Sequence, residues 1–349
     1  METHVKISEI TTTGELREFM TTPTNKLVEL MSELEGDIMV LGGAGKVGPE
    51  LVETIVRANR EAGARRTVHV ADLFPDGGAL PPERIKKLGA KVIRGDLTNR
   101  AFIQSLPDVP NVIYMVGLKF GSSGDWRRAF HLNGILPYLV GERFGTSSIV
   151  VFCSSNPYPH TRPAQRGSKE TDQLEPQGVY GWGIVARESA FATTQLDSPA
   201  QKLCFYRLAY AQHLGYGVLV DLARMVQSGE PISLAVPAVN LISQRDAIDV
   251  AIRALGLCDN PPLVLNVAGP IVAVRNIVER IGKLMGRKPK LADEEGEACV
   301  LVDDSHCVEL LGPYRDGVDE MIEAAAKWVA SGGEYWDKPT LFGRLQHVY

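Results

Sequence analysis

The chain has 349 residues, a formal net charge of −5 and 44% apolar residues, which suits one or two folded domains with a sizeable core and argues against disorder. The slight acidity argues against a nucleic-acid-binding protein, because such proteins usually carry a basic excess. No apolar run is long enough to cross a membrane and the first residues do not form a signal peptide, so we expect a cytoplasmic protein that makes no membrane contact.

The five cysteines are scattered along the chain without a C-x-x-C pair. This pattern predicts reduced thiols, most of them buried. His306 and Cys307 are adjacent but have no further ligand cluster in the sequence, so we expect no metal site.

Residues 1–36 form a predicted helical extension that precedes the first domain. An apolar stripe recurs there at helical spacing, at Leu27, Leu30, Met31 and Leu34. We expect this helix to pack against the rest of the chain; a dimer contact is the alternative.

From residue 37 short apolar strands alternate with amphipathic helices. Seven strands are predicted, at 37–41, 67–72, 91–96, 111–116, 148–153, 202–207 and 263–267. Helices are predicted between them, for example at 126–143 and 184–194. This alternation predicts the α/β class, with a Rossmann-type, doubly wound parallel sheet covered on both faces.

Two domains follow from this pattern. We assign residues 37–207 to a dinucleotide-binding Rossmann domain. Residues 208–349 are assigned mainly to a smaller C-terminal α/β substrate-binding domain, with some of the chain crossing back to the Rossmann sheet because of the late strand at 263–267.

The first strand runs directly into the sequence GGAGKVG at residues 42–48. The spacing of Gly42, Gly45 and Gly48 permits a tight turn and a close approach of a pyrophosphate to the backbone, and the helix that follows offers unpaired N–H groups. Because this motif lies between a strand and an amphipathic helix, it predicts a dinucleotide site.

Two acidic residues end the neighbouring strands. Asp72 ends the second, where a carboxylate can accept hydrogen bonds from both adenosine ribose hydroxyls and would repel a 2′-phosphate. This favours NAD over NADP, although Lys46 in the glycine turn could reach a phosphate. Asp96 and Leu97 follow the third strand and are placed to frame the adenine; the alternative for Asp96 is a plain turn residue.

The segment between the fifth strand and the helix of Tyr180 is long and polar. It carries four basic side chains, those of His160, Arg162, Arg166 and Lys169. A long loop in a compact domain is often functional, and these side chains would suit an anionic substrate such as an aldonate or uronate. The alternative is a solvated surface loop.

With these parts in place, the chain resembles the extended short-chain dehydrogenase/reductase family, the sugar-nucleotide epimerases and dehydratases, over residues 37–330. The glycine turn is similar to the family's glycine signature, and VIYMVGLKFG at 112–121 is similar to its fourth-strand segment. VVFCSSNPY at 150–158 resembles the segment with the catalytic serine, and VYGWGIVARE from residue 179 resembles the Tyr-Gly-x-Ser-Lys segment. GEPISL at 229–234 and LNVAGP at 265–270 are similar to landmarks of the family's substrate domain.

The resemblance implies an NAD-dependent oxidoreductase in which Tyr180 is the general acid or base while a hydride moves to or from the nicotinamide. Ser155 would orient the reacting oxygen; the alternative is a strand-end serine bonded to backbone. The implied substrate is a small polyhydroxylated molecule, and the implied assembly is a homodimer formed through two helices of each subunit. The implied cofactor contacts are Gly42, Gly45, Lys46, Val47, Gly48, Asp72, Leu73, Asp96, Leu97, Val116, Gly117, Lys119, Asn133 and Tyr180.

Three departures from the family pattern bear on activity. The family's lysine is Ile184 here and the serine before it is Gly183, so the usual cation beside the tyrosine is missing. Ala209 and Tyr210 stand where the family has an asparagine that touches the sugar-nucleotide diphosphate. An arginine expected near AVNLISQRD is also replaced, unless Arg245 takes its part. These changes argue against a UDP- or TDP-sugar as the substrate.

The missing lysine leaves the acidity of Tyr180 to be explained. A free tyrosine has a pKa of about 10, and lowering it by about three units requires roughly 4 kcal/mol. Isoleucine supplies none of this, and burial would raise the pKa. We hypothesise that Lys119, at the end of the fourth strand, takes over part of the lysine's role; a phosphate contact only is the alternative. The positive nicotinamide could contribute, and Arg187 is a more distant candidate.

Three functions stay open on this basis. The first is an NAD-dependent oxidoreductase acting at a secondary alcohol, with dehydrogenase, epimerase and dehydratase chemistry as alternatives within it. The second is a catalytically weakened dinucleotide-binding sensor or scaffold, and the third is a structural protein with a vestigial cofactor site. Tyr180 and Ser155 favour the enzyme, whereas Ile184 motivates the sensor.

Overall fold

The computed structural model describes residues 6–74, 82–292, 294–336, 340 and 342. Its strands are β1 (Ile38–Leu41), β2 (Val68–Asp72), β3 (Lys91–Arg94), β4 (Asn111–Tyr114), β5 (Ser148–Ser154), β6 (His160–Thr161), β7 (Lys202–Leu208), β8 (Ala211–Gln212), β9 (Pro231–Ser233), β10 (Ala238–Asn240), β11 (Ile242–Ser243), β12 (Leu263–Val267), β13 (Ile271–Ala273), β14 (Lys290–Ala292) and β15 (Cys299–Val300). Its α-helices are α1 (Thr13–Thr21), α2 (Asn25–Glu33), α3 (Gly48–Glu61), α4 (Pro82–Leu88), α5 (Arg100–Ser105), α6 (Trp126–Phe130), α7 (Leu136–Arg143), α8 (Gly178–Asp197), α9 (Val218–Ser228), α10 (Gln244–Arg253), α11 (Val274–Met285), α12 (Ser305–Leu311) and α13 (Val318–Ala330). A π-helical turn (His131–Ile135) joins α6 to α7, and 3-10 turns lie at Ile7–Glu9 and Ala254–Leu257.

Seven strands form one parallel sheet in the order β12-β7-β5-β4-β1-β2-β3. The strand order reverses between β1 and β4, and ligands of such sheets bind outside the carboxyl ends of the strands at this switch point. The prediction of a doubly wound parallel sheet is confirmed. All seven predicted strands are present, because strands buried on both faces have near-continuous apolar sequences; the four residues of β1, for example, are all buried.

Two apolar layers cover the faces of this sheet. One layer contains α2, α3 and α10; the other contains α5, α7 and α8. Leu27 and Met31, from the N-terminal apolar stripe, are fully buried in the first layer, which is the packing role expected for this helix. The helices predicted at 126–143 and 184–194 are also present, the first with the π-helical turn inside it and the second extended at both ends.

A second core lies in the C-terminal part of the chain. It consists of α9, α11 and α13 with the short strands around them, and it also includes Phe19 and Met20 of α1. The N-terminal segment therefore contributes side chains to both cores. Within the described ranges, no helix combines the length and the apolar character that a membrane span requires.

Candidate functional site

The glycine turn between β1 and α3 lies at the switch point of the sheet. Gly42 has a φ of +86°, and a Cβ atom there would come within 2.8 Å of the Val116 side chain. A Cβ atom on Gly48 would lie 2.0 Å from the carbonyl oxygen of Gly43. These two positions therefore require glycine. Gly45 is exposed at the tip of the turn, so the backbone and the amino end of α3 can receive the phosphates of a dinucleotide.

Asp72 holds the glycine turn from the neighbouring strand. One carboxylate oxygen accepts a hydrogen bond from the N–H of Ala44 at 2.8 Å, and the other accepts one from the N–H of Leu73 at 2.6 Å. The Leu73 side chain is exposed beside this carboxylate. Asp72 therefore lies at the rim of the turn, where a ribose would be within its reach.

Asp96 and Leu97 have structural roles after β3. Asp96 accepts hydrogen bonds from the hydroxyl and the N–H of Thr98, at 2.7 and 2.8 Å, and these bonds hold the pKa of Asp96 below its usual value. Leu97 is buried in the layer that contains α5 and α7. The turn role considered for Asp96 is thus present, and contacts of either residue with an adenine stay a prediction.

Asn133 fixes the loop that follows β4. Its side-chain oxygen accepts a hydrogen bond from the N–H of Leu118 at 3.0 Å, and its amide nitrogen donates to the Leu118 carbonyl at 2.9 Å. Asn133 is fully buried in the π-helical turn. Val116, Gly117 and Lys119 also lie in this loop. The paired bonds to Leu118 therefore set the course of the backbone at Lys119.

A cleft of about 260 Å³ opens where this loop, the glycine turn and α8 meet. It brings together four of the predicted residues, Lys46, Val47, Lys119 and Tyr180, with Ser154 and Cys153 at the end of β5. The C-terminal part of the chain supplies the opposite wall, which includes Leu208, Ala209, Tyr210, Gln212, Tyr216 and Gln244. Sequence reasoning missed Tyr216, Gln212 and Gln244, because no motif marks them.

Two lysines give the cleft a positive charge. The Nζ atom of Lys119 lies 5.4 Å from the centre of the Tyr180 ring. The Nζ atom of Lys46 donates to the Tyr216 hydroxyl at 2.7 Å and lies 4.5 Å from the centre of the Phe120 ring. Desolvation by burial, and then the charge of Lys46, lower the pKa of Lys119 to about 8. No carboxylate is among the described residues that line the cleft.

Ser154 is the serine at the wall of this cleft. Its hydroxyl donates to the side-chain oxygen of Asn156 at 2.8 Å. Ser155 uses its N–H to bond the carbonyl of Leu208 at 3.3 Å, and its own carbonyl accepts from the N–H of Tyr158 at 3.1 Å. These are bonds of the Ser155 backbone, and both roles considered for its hydroxyl stay predictions.

The two substitutions in the tyrosine segment have local packing partners. Ile184 is fully buried in the layer of Leu136 and Phe191, against which Tyr180 also packs, and it is not among the residues that line the cleft. A Cβ atom on Gly183 would lie 3.0 Å from the amide nitrogen of Asn133. Glycine at 183 therefore allows α8 to approach the π-helical turn closely.

Arg187 lies against the loop that follows β4, although its spacing from Tyr180 made it only a distant candidate. Its side chain is buried and donates to the side-chain oxygen of Asn133 at 2.7 Å and to the carbonyl of Phe152. The signal that could have indicated this contact is Gly117, since a side chain at 117 would collide with the guanidinium group.

Three of the four basic residues of the polar loop are paired with carboxylates. Arg162 lies 3.4 Å from Glu297, Arg166 2.9 Å from Asp172 and Lys169 3.9 Å from Asp303. None of these basic residues lines the cleft described above. The loop is therefore tied to its own carboxylates and to the C-terminal part of the chain, and the positive charge of the cleft comes from Lys46 and Lys119.

Arg245 is also engaged elsewhere. It forms an ion pair with Asp316, in which its Nε donates at 2.7 Å, and its guanidinium carbon lies 3.5 Å from the centre of the Phe19 ring. It is not among the residues lining the cleft, so it does not stand in for the family's arginine. The five cysteines are buried and unpaired, and the part of the chain that the structure describes contains no cluster of metal-ligating side chains.

No family model and no curated protein sequence matches the chain, but solved structures do. MoeE5 in complex with UDP-glucuronic acid and NAD matches with a TM-score of 0.67 at 22% identity, over 85% of this chain and 100% of that one. A UDP-galactose 4-epimerase matches with a TM-score of 0.65 at 20% identity, over 85% and 99%. The UDP-Glc/GlcNAc 4-epimerase of Campylobacter jejuni matches with a TM-score of 0.66 at 19% identity, over 84% and 99%. Identities this low show a common fold, and the fold expected from the resemblance is confirmed.

Proposed function

We propose that this protein is an NAD-dependent oxidoreductase of the epimerase and dehydratase type that acts at a secondary alcohol of a sugar-like or sugar-acid substrate. The observation that carries the proposal is the meeting of Tyr180 and Lys119 in one cleft beside a glycine turn that fits a pyrophosphate. Solved structures of the same fold were determined with NAD and a UDP-sugar, which supports this class of cofactor and substrate.

NAD suits the residues of the glycine turn. Gly42 and Gly48 leave no room for side chains, Gly45 is exposed for a phosphate, and Asp72 favours a ribose that has no 2′-phosphate. Lys46, the residue that weakened the preference for NAD, is held by Tyr216 inside the cleft. When bound, NAD would supply the acceptor for a hydride from the substrate carbon and, in an epimerase or dehydratase, the means of its return.

Tyr180 would move the proton that accompanies this hydride. Its phenolate accepts the proton of the substrate hydroxyl, and its neutral form donates the proton back. The Nζ atom of Lys119 lies 5.4 Å from the centre of the Tyr180 ring, whose hydroxyl oxygen would carry the negative charge. Opposite charges roughly 4 to 8 Å apart interact by roughly 2 to 4 kcal/mol at an effective dielectric constant of about 20. Lys119 can therefore supply much of the roughly 4 kcal/mol that an acidic tyrosine needs, as long as Lys119 itself stays protonated.

The cleft favours an anionic, hydroxylated substrate. Lys46 and Lys119 give it positive charge without a neighbouring carboxylate among its described lining. Gln244 is 2% exposed, and its amide nitrogen has no hydrogen-bond acceptor among the described residues. A buried donor without a partner costs free energy, so a substrate carboxylate or hydroxyl oxygen is the acceptor that would satisfy it. This supports a sugar acid such as an aldonate or a uronate.

We further propose a homodimer. Three large apolar side chains, Trp126, Ile135 and Trp182, are more than half exposed on α6, the π-helical turn and α8, which pack against one another. Large apolar side chains that are exposed on neighbouring helices are typical of a protein–protein interface. A second copy of the chain would cover it.

The test uses the wild-type protein and the Tyr180→Phe variant. NAD binding is measured by calorimetry, and turnover is measured with a panel of UDP-sugars, uronates and aldonates, by reduced-nicotinamide absorbance and by chromatographic detection of epimers. We expect both proteins to bind NAD and the variant to lose turnover by about a hundredfold or more. NAD binding without turnover across the panel would favour the sensor function. The presence of the buried Ile184 at the position of the family's lysine supports this alternative. Absence of NAD binding would reject both functions.

A further inference from the structure

We infer that Arg187 is a positioning residue that replaces the lysine expected at position 184, by fixing the loop that carries Lys119 and by placing a buried positive charge beside Tyr180. This inference rests on the proposed function. The role follows from the contacts of this chain.

Hydrogen bonds link Arg187 to the loop in two steps. The guanidinium donates to the side-chain oxygen of Asn133 at 2.7 Å. Asn133 in turn bonds both the N–H and the carbonyl of Leu118, at 3.0 and 2.9 Å. Leu118 directly precedes Lys119, so the chain of bonds from Arg187 ends one residue from the lysine of the cleft.

The contact between Arg187 and the loop is direct as well. A Cβ atom on Gly117 would lie 2.0 Å from one guanidinium nitrogen of Arg187. Glycine at this position therefore allows the cation to lie against the backbone at the carboxyl end of β4. A second bond, to the carbonyl of Phe152, holds the same group at the end of β5.

Along the axis of α8, the guanidinium of Arg187 lies near position 184, where the family has its lysine. Arg187 lies on the same face of α8 as Tyr180 and Ile184, because positions seven and four residues apart share a helix face. Side chains of a helix lean toward its amino end. Asn133, which binds the guanidinium, also faces Gly183. The charge therefore lies about one turn closer to Tyr180 than the Cα atom of Arg187 does.

This charge has no carboxylate partner. Arg187 is 4% exposed, no carboxylate of the described residues lies within ion-pair distance, and its Nε atom has no acceptor. The neighbouring Glu188 is engaged by Arg207 at 2.6 Å. A buried cation without a counter-ion favours any negative charge that forms near it. The guanidinium carbon lies 5.6 Å from the centre of the Tyr114 ring. The phenolate of Tyr180, toward which the Arg187 side chain leans along α8, is the anion that the proposed reaction forms.

The experiment moves the cation back to the position of the family's lysine. Three proteins are compared with the wild type: Arg187→Met, Arg187→Lys and the double variant Arg187→Met/Ile184→Lys. The ionisation of Tyr180 is followed by phenolate absorbance with NAD bound, as the difference from the same protein carrying Tyr180→Phe. NAD affinity is measured in parallel.

We expect Arg187→Met to lower the ionisation constant of Tyr180 at least tenfold and to shift the acid limb of the turnover profile by the same amount. Arg187→Lys should retain much of the acidity, and the double variant should restore it. An unchanged titration in a folded, NAD-binding Arg187→Met protein would overturn the inference, as would a double variant that restores nothing. If the methionine variant does not fold, Arg187→Gln is used instead, because glutamine keeps hydrogen bonding without the charge. The same decrease in the ionisation constant of Tyr180 is then expected, and an unchanged titration would overturn the inference. A wild-type protein that binds no NAD would instead reject the proposed function.

Discussion

The ammonium group of Lys119 lies 5.4 Å from the centre of the Tyr180 ring, in a cleft that Lys46 also enters. The pKa of Lys119 is lowered to about 8, first by desolvation and then by the charge of Lys46. The group that can acidify the tyrosine therefore loses its own proton in mildly alkaline solution. Electrostatic support for Tyr180 is available below this pKa and declines above it.

The first prediction concerns this alkaline limit. We expect turnover to fall as the pH rises through about 8, because Lys119 is charged only below its pKa. Lys119→Arg should move the decline to higher pH, since arginine stays protonated. Lys119→Met should lower turnover by orders of magnitude while some NAD binding remains. The measurement is a pH profile of kcat/KM together with NAD affinity, and full activity of the methionine variant would contradict the role given to Lys119.

The second prediction concerns Gln244 and substrate affinity. Removing the unpartnered amide by Gln244→Met should raise KM about ten- to a hundredfold, the equivalent of one hydrogen bond to a charged oxygen, with little change in kcat or in NAD affinity. Gln212→Met is the matched control, because Gln212 already bonds Tyr210 and Leu219 within the protein. This control should lose stability rather than substrate affinity. Equal KM values for wild type and Gln244→Met would remove Gln244 from the substrate site.

The third prediction concerns stability and Glu50, in the first turn of α3. Burial raises the pKa of Glu50 to about 7, and one of its oxygens has no hydrogen-bond partner among the described residues. The folded state therefore holds this proton more tightly than the unfolded state, so the free energy of unfolding should fall as the pH rises from about 4.5 to about 7. Above that range Glu50→Gln should be more stable than the wild type by up to about 3 kcal/mol.

Chemical denaturation at several pH values measures this effect, and Glu53 provides the control. Glu53 is buried too, which opposes its ionisation, but bonds to Arg17 and Arg84 lower its pKa. Glu53→Gln should therefore destabilise the protein at neutral pH, the opposite sign to Glu50→Gln. A stability of Glu50→Gln equal to that of the wild type above pH 7 would show that Glu50 keeps an ordinary pKa in the fold.

The fourth prediction concerns assembly. Trp182→Glu places a charge in the exposed apolar cluster of α6 and α8 and should convert the dimer to a monomer, because an unpaired buried charge disfavours the interface. Light scattering after size-exclusion chromatography gives the mass. Leu284→Glu is the control, since Leu284 is 44% exposed on α11 in the second core. A monomeric wild type, or a dimer that survives Trp182→Glu, would rule out this interface.

Much of the sheet could be predicted from the sequence because its strands are short apolar runs separated by amphipathic helices. The glycine turn and the position of Tyr180 followed in the same way, since local sequence determines both. The walls of the cleft could not be predicted, because Tyr216, which precedes α9 of the second core, and Gln244, which begins α10 of the first layer, reach it only through long-range packing. The ion pairs of Arg162 and Lys169 in the polar loop could not be predicted either, because their partners Glu297 and Asp303 are more than a hundred residues away in sequence.

The contact of Arg187 with the loop after β4 could not be predicted from the sequence of α8 alone. Its spacing from Tyr180 places it two turns away, and only the absence of a side chain on Gly117 lets its guanidinium reach the loop after β4. Close approach between segments seventy residues apart has no signature in either segment alone. The same holds for Gly183 and Asn133.

The N-terminal segment restricts how a ligand can enter the cleft. Phe19 is fixed in the second core and Leu27 in the sheet layer, and only residues 22–24 separate α1 from α2. Three extended residues span at most about 10 Å. This short tether limits the distance to which the two cores can separate where α1 meets α2, so any widening of the cleft for a ligand has to keep these two helices within reach of each other.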